Sequence, residues 1–166
     1  MRMIVFGSGA SRKVPDGFEH KRALEQLEDH LRRWAPMAQE SEVTIAMEPL
    51  RTFESNIINL VSEGAELVRR VNHPNVRLVA DTFHMGCEGE GAEAIVDAGD
   101  LIVDVHCAEV EGRRAPGTIG EDLEPYFRAL KDIGYQGGIS IESDWKDQAG
   151  ELPGAVAYLA EQYRTA

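Results

Sequence analysis

Four short apolar runs each end in a residue type that binds metal ions. Glu48 follows TIAM, Asp81 follows VRLVA, His106 follows LIVDV and Glu142 follows GGISI. Three carboxylates and one imidazole make an oxygen-rich donor set. Such a set suits a hard or borderline divalent cation, with Mn²⁺ the first expectation and Mg²⁺ or Co²⁺ also accommodated. Each residue also has a plainer reading. Glu48 can cap a helix or pair with Arg51, and Asp81 can be an ordinary N-cap. His106 alone in an apolar strand reads as a core histidine. Glu142 directly follows Ile139 and Ile141 in the same run, and a buried carboxylate there needs a cation or strong donors. One metal ion would satisfy all four.

Three further positions look like substrate handles. Glu54 lies shortly after Glu48, and His84 follows Asp81 in DTFHM. Arg113 and Arg114 lie in EGRRAPG, a Gly- and Pro-bearing loop after the His106 run. A guanidinium in such a loop suits hydroxyl or carbonyl oxygens. Their plain reading is a solvated loop. Cys107 neighbours His106, but neighbours on a strand face opposite sides, so packing is expected of it.

The elements that position these residues alternate between strand-like and helix-like. Met3–Phe6, Thr44–Met47, Val76–Ala80, Leu101–Val105 and Gly138–Ile141 read as strands. They are nearly continuous apolar runs, as in a parallel sheet covered on both sides. Between them, Leu24, Leu27, Leu31, Trp34 and Ala38 fall three and four apart, one face of a helix from Phe18 to Gln39. A second helix is expected over Ser62–Val71, capped by Ser62, with Ala65, Val68 and Val71 inward. A short one carries Ala92, Ile95 and Val96. Another carries Leu123, Tyr126, Phe127, Leu130 and Ile133 and stops at Gly134. A last helix spans about Leu152–Tyr163. In parallel α/β folds chemistry gathers at the carboxyl ends of strands, where all four candidate ligands lie.

Composition narrows the function. The chain has 166 residues, 43% of them hydrophobic, 28% charged, and a net charge of −12. That is enough for one domain, expected over residues 1–166, with a core of its own. The negative charge repels phosphate backbones, so no nucleic-acid partner is expected. No apolar run reaches the ~20 residues of a membrane span, so no membrane partner is expected either. MRMIVFGSGA lacks the features of a signal peptide, and two cysteines suit a reducing compartment, so a cytoplasmic location is expected.

EPL followed by Glu54, DTFHM, HCAE followed by RRAPG, and GYQGGISIES resemble the motifs of one family. It is the xylose isomerase-like barrel class of sugar isomerases and epimerases, especially the D-tagatose 3-epimerase group of ketose 3-epimerases. The resemblance implies a partial (β/α)₈ TIM barrel. A full one takes about 250 residues, and Met1 falls where its fourth strand would start, so roughly the first three βα units are expected to be missing. It implies one divalent metal on Glu48, Asp81, His106 and Glu142, and a sugar held by Glu54, His84 and Arg113. The loop before the arginine pair is one residue longer than in those epimerases, and counting back from Pro116-Gly117 favours Arg113 over Arg114. Arg51-Thr52 stands where those epimerases tend to carry Asn-Arg, which bears on the choice of sugar.

The implied reaction is epimerisation or isomerisation of a ketose through an enediolate. Glu48 and Glu142 are then an acid/base pair, one removing a carbon-bound proton and the other returning it to the opposite face. A metal-dependent hydrolase or endonuclease of the same barrel class would need more histidines than the five present and a basic face. A third reading is a catalytically silent fragment that binds sugar or metal. Open sheet edges are expected to promote self-association or a homo-oligomer.

Overall fold

The computed structural model describes residues 2–166. Met1, assigned above to the start of a strand, lies outside the described residues. In chain order the elements are β1 (Arg2–Phe6), α1 (Gly9–Arg12), α2 (His20–Glu40), β2 (Val43–Met47), α3 (Val61–Val71), β3 (Val76–Asp81), α4 (Thr82–Glu88), α5 (Glu93–Ala98), β4 (Ile102–Cys107), α6 (Glu124–Asp132), β5 (Ile139–Ile141) and α7 (Gln148–Thr165). The five strands pair in sequence order, all parallel, so β1 and β5 are the edges of an open half-barrel.

Side-chain alternation sorts each strand into two faces. Ile45 and Met47, Leu78 and Ala80, and Val105 and Cys107 join one buried apolar cluster with Leu31, Leu67, Ile95 and Leu130 of the helices. Burying each such leucine is worth about 2 kcal/mol. The intervening positions point the other way, so Ala46, Val79 and Asp104 share a face with Glu48, Asp81 and His106. All three are buried. Register then brings the polar ends level: Asp81 pairs with His106, and the Glu142 N–H donates to the Cys107 carbonyl at 3.1 Å.

Several local expectations are corrected. Ser62 does not cap α3. The helix starts after Leu60, and Glu63 reaches back to the N–H groups of Asn59 and Leu60 at 2.7 and 3.4 Å. The Ser62 hydroxyl instead donates to Glu90 at 3.1 Å. Val96 and Trp34 are exposed. Trp34 covers Phe6 edge-on rather than entering the core, and Leu27, Leu31, Ala35 and Ala38 form the buried stripe of α2. The sequence reading missed α1 and α4. On the edge strand β1, Ile4 is 58% and Val5 36% exposed.

Candidate metal centre

Each strand end delivers its ligand by a different local device. Glu48 leaves β2 beside Gly7, and a Cβ at Gly7 would land on the Glu48 carboxylate. A side chain there would push that carboxylate aside. Arg12 fastens the same corner, donating to the Phe6 carbonyl at 2.6 Å and the Glu48 carbonyl at 2.5 Å. Burial lowers its pKa to about 10, partly offset by the Glu48 charge.

Asp81 does two jobs with two oxygens. Oδ1 accepts from the N–H groups of Phe83 and His84 at 2.8 and 3.4 Å and so starts α4. Oδ2 is buried with no hydrogen-bond partner. The cap and ligand readings of Asp81 are therefore compatible. An orphaned carboxylate oxygen costs free energy unless a cation or donor reaches it. Burial, and secondarily the Glu48 charge, raise the Asp81 pKa against the pull of His84, His106 and Arg113.

His106 is enclosed by carboxylates. Its Nδ1 lies 2.8 Å from Glu48 Oε1, 2.8 Å from Glu142 Oε2 and 4.0 Å from Asp81 Oδ2. Its Nε2 lies 3.2 Å from Asp104 Oδ2. Burial disfavours its charge, but hydrogen bonds to Asp104, Glu142 and Glu48 push the pKa up to about 12. The Asp104 contact fixes which nitrogen faces the centre, the usual arrangement behind a ligating histidine. The sequence reading missed Asp104, although it sits two residues before His106, the same-face spacing on a strand.

One atom from each of Glu48, Asp81, His106 and Glu142 lies within 4.8 Å of the others. Three oxygens, one of them the orphaned Asp81 Oδ2, and one nitrogen fit a hard or borderline divalent cation. Glu142 departs from its expected burial, since its side chain is 50% exposed. The His106 hydrogen bond lowers its pKa, burial opposes this, and Arg113 adds to the lowering.

The remaining candidates line the same mouth. Arg113 Nη2 lies 2.9 Å from Glu142 Oε1 and 3.6 Å from Asp81 Oδ2, and its guanidinium stacks 4.8 Å from the Phe83 ring centroid. Arg114 makes none of these contacts. His84 Nδ1 accepts the Arg51 N–H at 3.2 Å, which leaves Nε2 to carry the proton, 3.6 Å from Asp81 Oδ2. Burial lowers the His84 pKa. Glu54 is held by Arg51 at 2.7 Å, and Arg51 lies over Phe83. Arg51 therefore pairs with Glu54 and not with Glu48.

Residues 1–162 match the family described as xylose isomerase-like TIM barrel. The chain belongs to that family. Within it, the chain is 38% identical to the L-ribulose 3-epimerase of Methylomonas sp. (strain DH-1) over 114 residues, 68% of this chain and 40% of that protein. It is 34% identical to the D-psicose 3-epimerase of Agrobacterium fabrum over 146 residues, 80% of this chain and 50% of that one. The structure of the D-psicose 3-epimerase of Clostridium cellulolyticum H10 with D-tagatose superposes with a TM-score of 0.84 at 26% identity, covering 98% of this chain and 64% of that one. The chain thus spans 40% to 50% of the length of these two curated relatives. Among the described residues, no helix is long and apolar enough to cross a membrane.

Proposed function

We propose that this chain serves the metal-dependent epimerisation of a ketose at the carbon beside its carbonyl. The observation that carries the reading is the convergence of Glu48, Asp81, His106 and Glu142 on one point, with Glu48 and Glu142 each 2.8 Å from His106 Nδ1. The activities of the ketose 3-epimerase relatives support it. A bound divalent cation, Mn²⁺ first, supplies Lewis-acid polarisation of the sugar oxygens.

The residues of the chain do the rest. Glu48 and Glu142 approach the centre from different strands, one buried and one half-exposed. One takes the proton from the carbon beside the carbonyl, leaving an enediolate. The other, protonated at the start, gives its proton to the opposite face, and proton exchange of the two carboxylates with water restores the starting state, so the net change is inversion alone. Arg113 places positive charge beside Glu142, where it also meets a developing oxyanion. His84 offers an Nε2 proton and Glu54 an acceptor to sugar hydroxyls.

The free thiols of Cys87 and Cys107 support a cytoplasmic setting. The five units act as one domain. Its exposed β1 edge supports self-association. Incubation with L-ribulose, D-psicose and D-tagatose, with Mn²⁺ and then with chelator, tests the activity. Metal-dependent appearance of the C3 epimer of at least one sugar is expected. Tight metal binding without turnover of any of them would favour a silent binding role.

A further inference from the structure

Glu109 is fully buried, and no step described above uses it. Its carboxylate is filled entirely by backbone donors. Oε1 accepts the N–H groups of Gly117 at 2.8 Å, Gly120 at 2.9 Å and Glu121 at 3.3 Å, and Oε2 accepts that of Ile119 at 2.9 Å. Its own N–H donates to the Arg114 carbonyl at 2.9 Å. Glu109 therefore ties both ends of the 109–121 loop to one buried point. Arg113 rides on that loop. It adopts a left-handed backbone with φ 49°, directly after Gly112 at φ 69°. Such a backbone persists in a residue with a side chain only when its surroundings hold it.

We propose that Glu109 is a positioning residue that sets the Arg113 guanidinium against Glu142 and Asp81, and so governs sugar binding without taking part in metal binding. The sugar half of this statement rests on the epimerase reading. The chemistry favours a carboxylate specifically. An ionised carboxylate accepts only, with about four lone-pair sites, matching the donors it meets. A glutamine has one accepting oxygen, and its NH₂ would face backbone N–H groups. Some of those donors would then lose their buried partner and the loop would loosen.

The test compares Glu109→Gln with wild type in three readouts: tryptic cleavage after Arg113 and Arg114, Mn²⁺ affinity by calorimetry, and KM against kcat for a ketose turned over by the wild type. In the variant, cleavage should accelerate about tenfold as the loop opens more often. Mn²⁺ affinity should stay within about threefold, and KM should rise about tenfold with a smaller change in kcat. Gly120→Ala is the second variant, used if Glu109→Gln does not fold. It keeps the carboxylate but strains one donor, because Gly120 sits at φ 82° with open space around it. It should shift the same readouts in the same direction by less. Wild-type protection and KM in the folded variant would overturn the proposal. So would a loss confined to Mn²⁺ affinity and kcat. If the wild type turns over no ketose, the epimerase reading falls, while cleavage and Mn²⁺ affinity still decide whether Glu109 holds Arg113.

Discussion

The carboxyl ends of the inner strands and the outer edge of β1 handle exposure in opposite ways. At the centre, Asp81 and His106 are level in register, and His106 meets Glu48 and Asp81 from other strands and Asp104 from its own. Asp104 backs His106, Arg12 fastens Glu48, and Glu109 fixes the loop of Arg113. On β1, Ile4 and Val5 face solvent along a strand with one neighbour. An apolar groove of about 310 Å³ runs between β1, β2 and α2, lined by Ile4, Phe6, Trp34 and Met37. The placement of the donor set and the open β1 edge of the sheet therefore rest on different strands. The donor set is complete within β2 to β5 and the segments that follow them, while the sheet remains open beyond β1.

Four changes test that contrast. The largest effect is expected from His106→Ala, which removes the nitrogen at the middle of the centre. Mn²⁺ affinity should fall by more than about a hundredfold, with the association state unchanged. Calorimetry beside light scattering checks both, and equal affinity would remove His106 from the ligand set.

Asp104→Asn should cost about ten- to a hundredfold in metal affinity, because it weakens the orientation of His106 and not a ligand itself. Loss of affinity as large as in His106→Ala would make Asp104 a ligand in its own right.

Acidity gives a smaller, graded effect. The pKa of His106 near 12 means that Nδ1 binds a proton throughout the neutral range, and a cation must displace it. Binding should release about one proton, and affinity should rise about tenfold per pH unit between pH 6 and 8. Calorimetry in buffers of different ionisation enthalpy reads the proton directly, and a value of zero would mean that His106 is not protonated in the metal-free centre.

The smallest effect on chemistry should come from Ile4→Lys on the β1 edge. A charge there opposes strand pairing between copies. Wild type should scatter as more than one copy at micromolar concentration and the variant as fewer, with Mn²⁺ affinity within about twofold. A wild-type monomer near 18.3 kDa would end the self-association reading.

Much of this was legible in the sequence. The strands advertise themselves as apolar runs, and their ends carry the residues that cannot belong to a core. The four candidate ligands and Arg113 could be named before any coordinates. What was not legible depends on distance. Asp104 looks like an interruption of an apolar strand until His106 Nε2 is seen beside it. Glu109 looks like a loop acid until four N–H groups converge on it. Arg12 lies in a helix of four residues, below the length at which periodicity shows. Glu142 was expected to be buried because apolar residues precede it, but β5 is a three-residue edge strand that leaves it half open.

In the proposed reaction the cation centre and its two glutamates move a carbon-bound proton of a ketose. Mass spectrometry of D-psicose or L-ribulose incubated in D₂O with Mn²⁺ and the wild-type chain tests it most directly. One deuterium should enter at C3 in step with the new epimer, and both should vanish in Glu142→Gln while that variant still folds. Stoichiometric Mn²⁺ binding with no deuterium at C3 of either sugar, or labelling by Glu142→Gln within about tenfold of wild type, would contradict it.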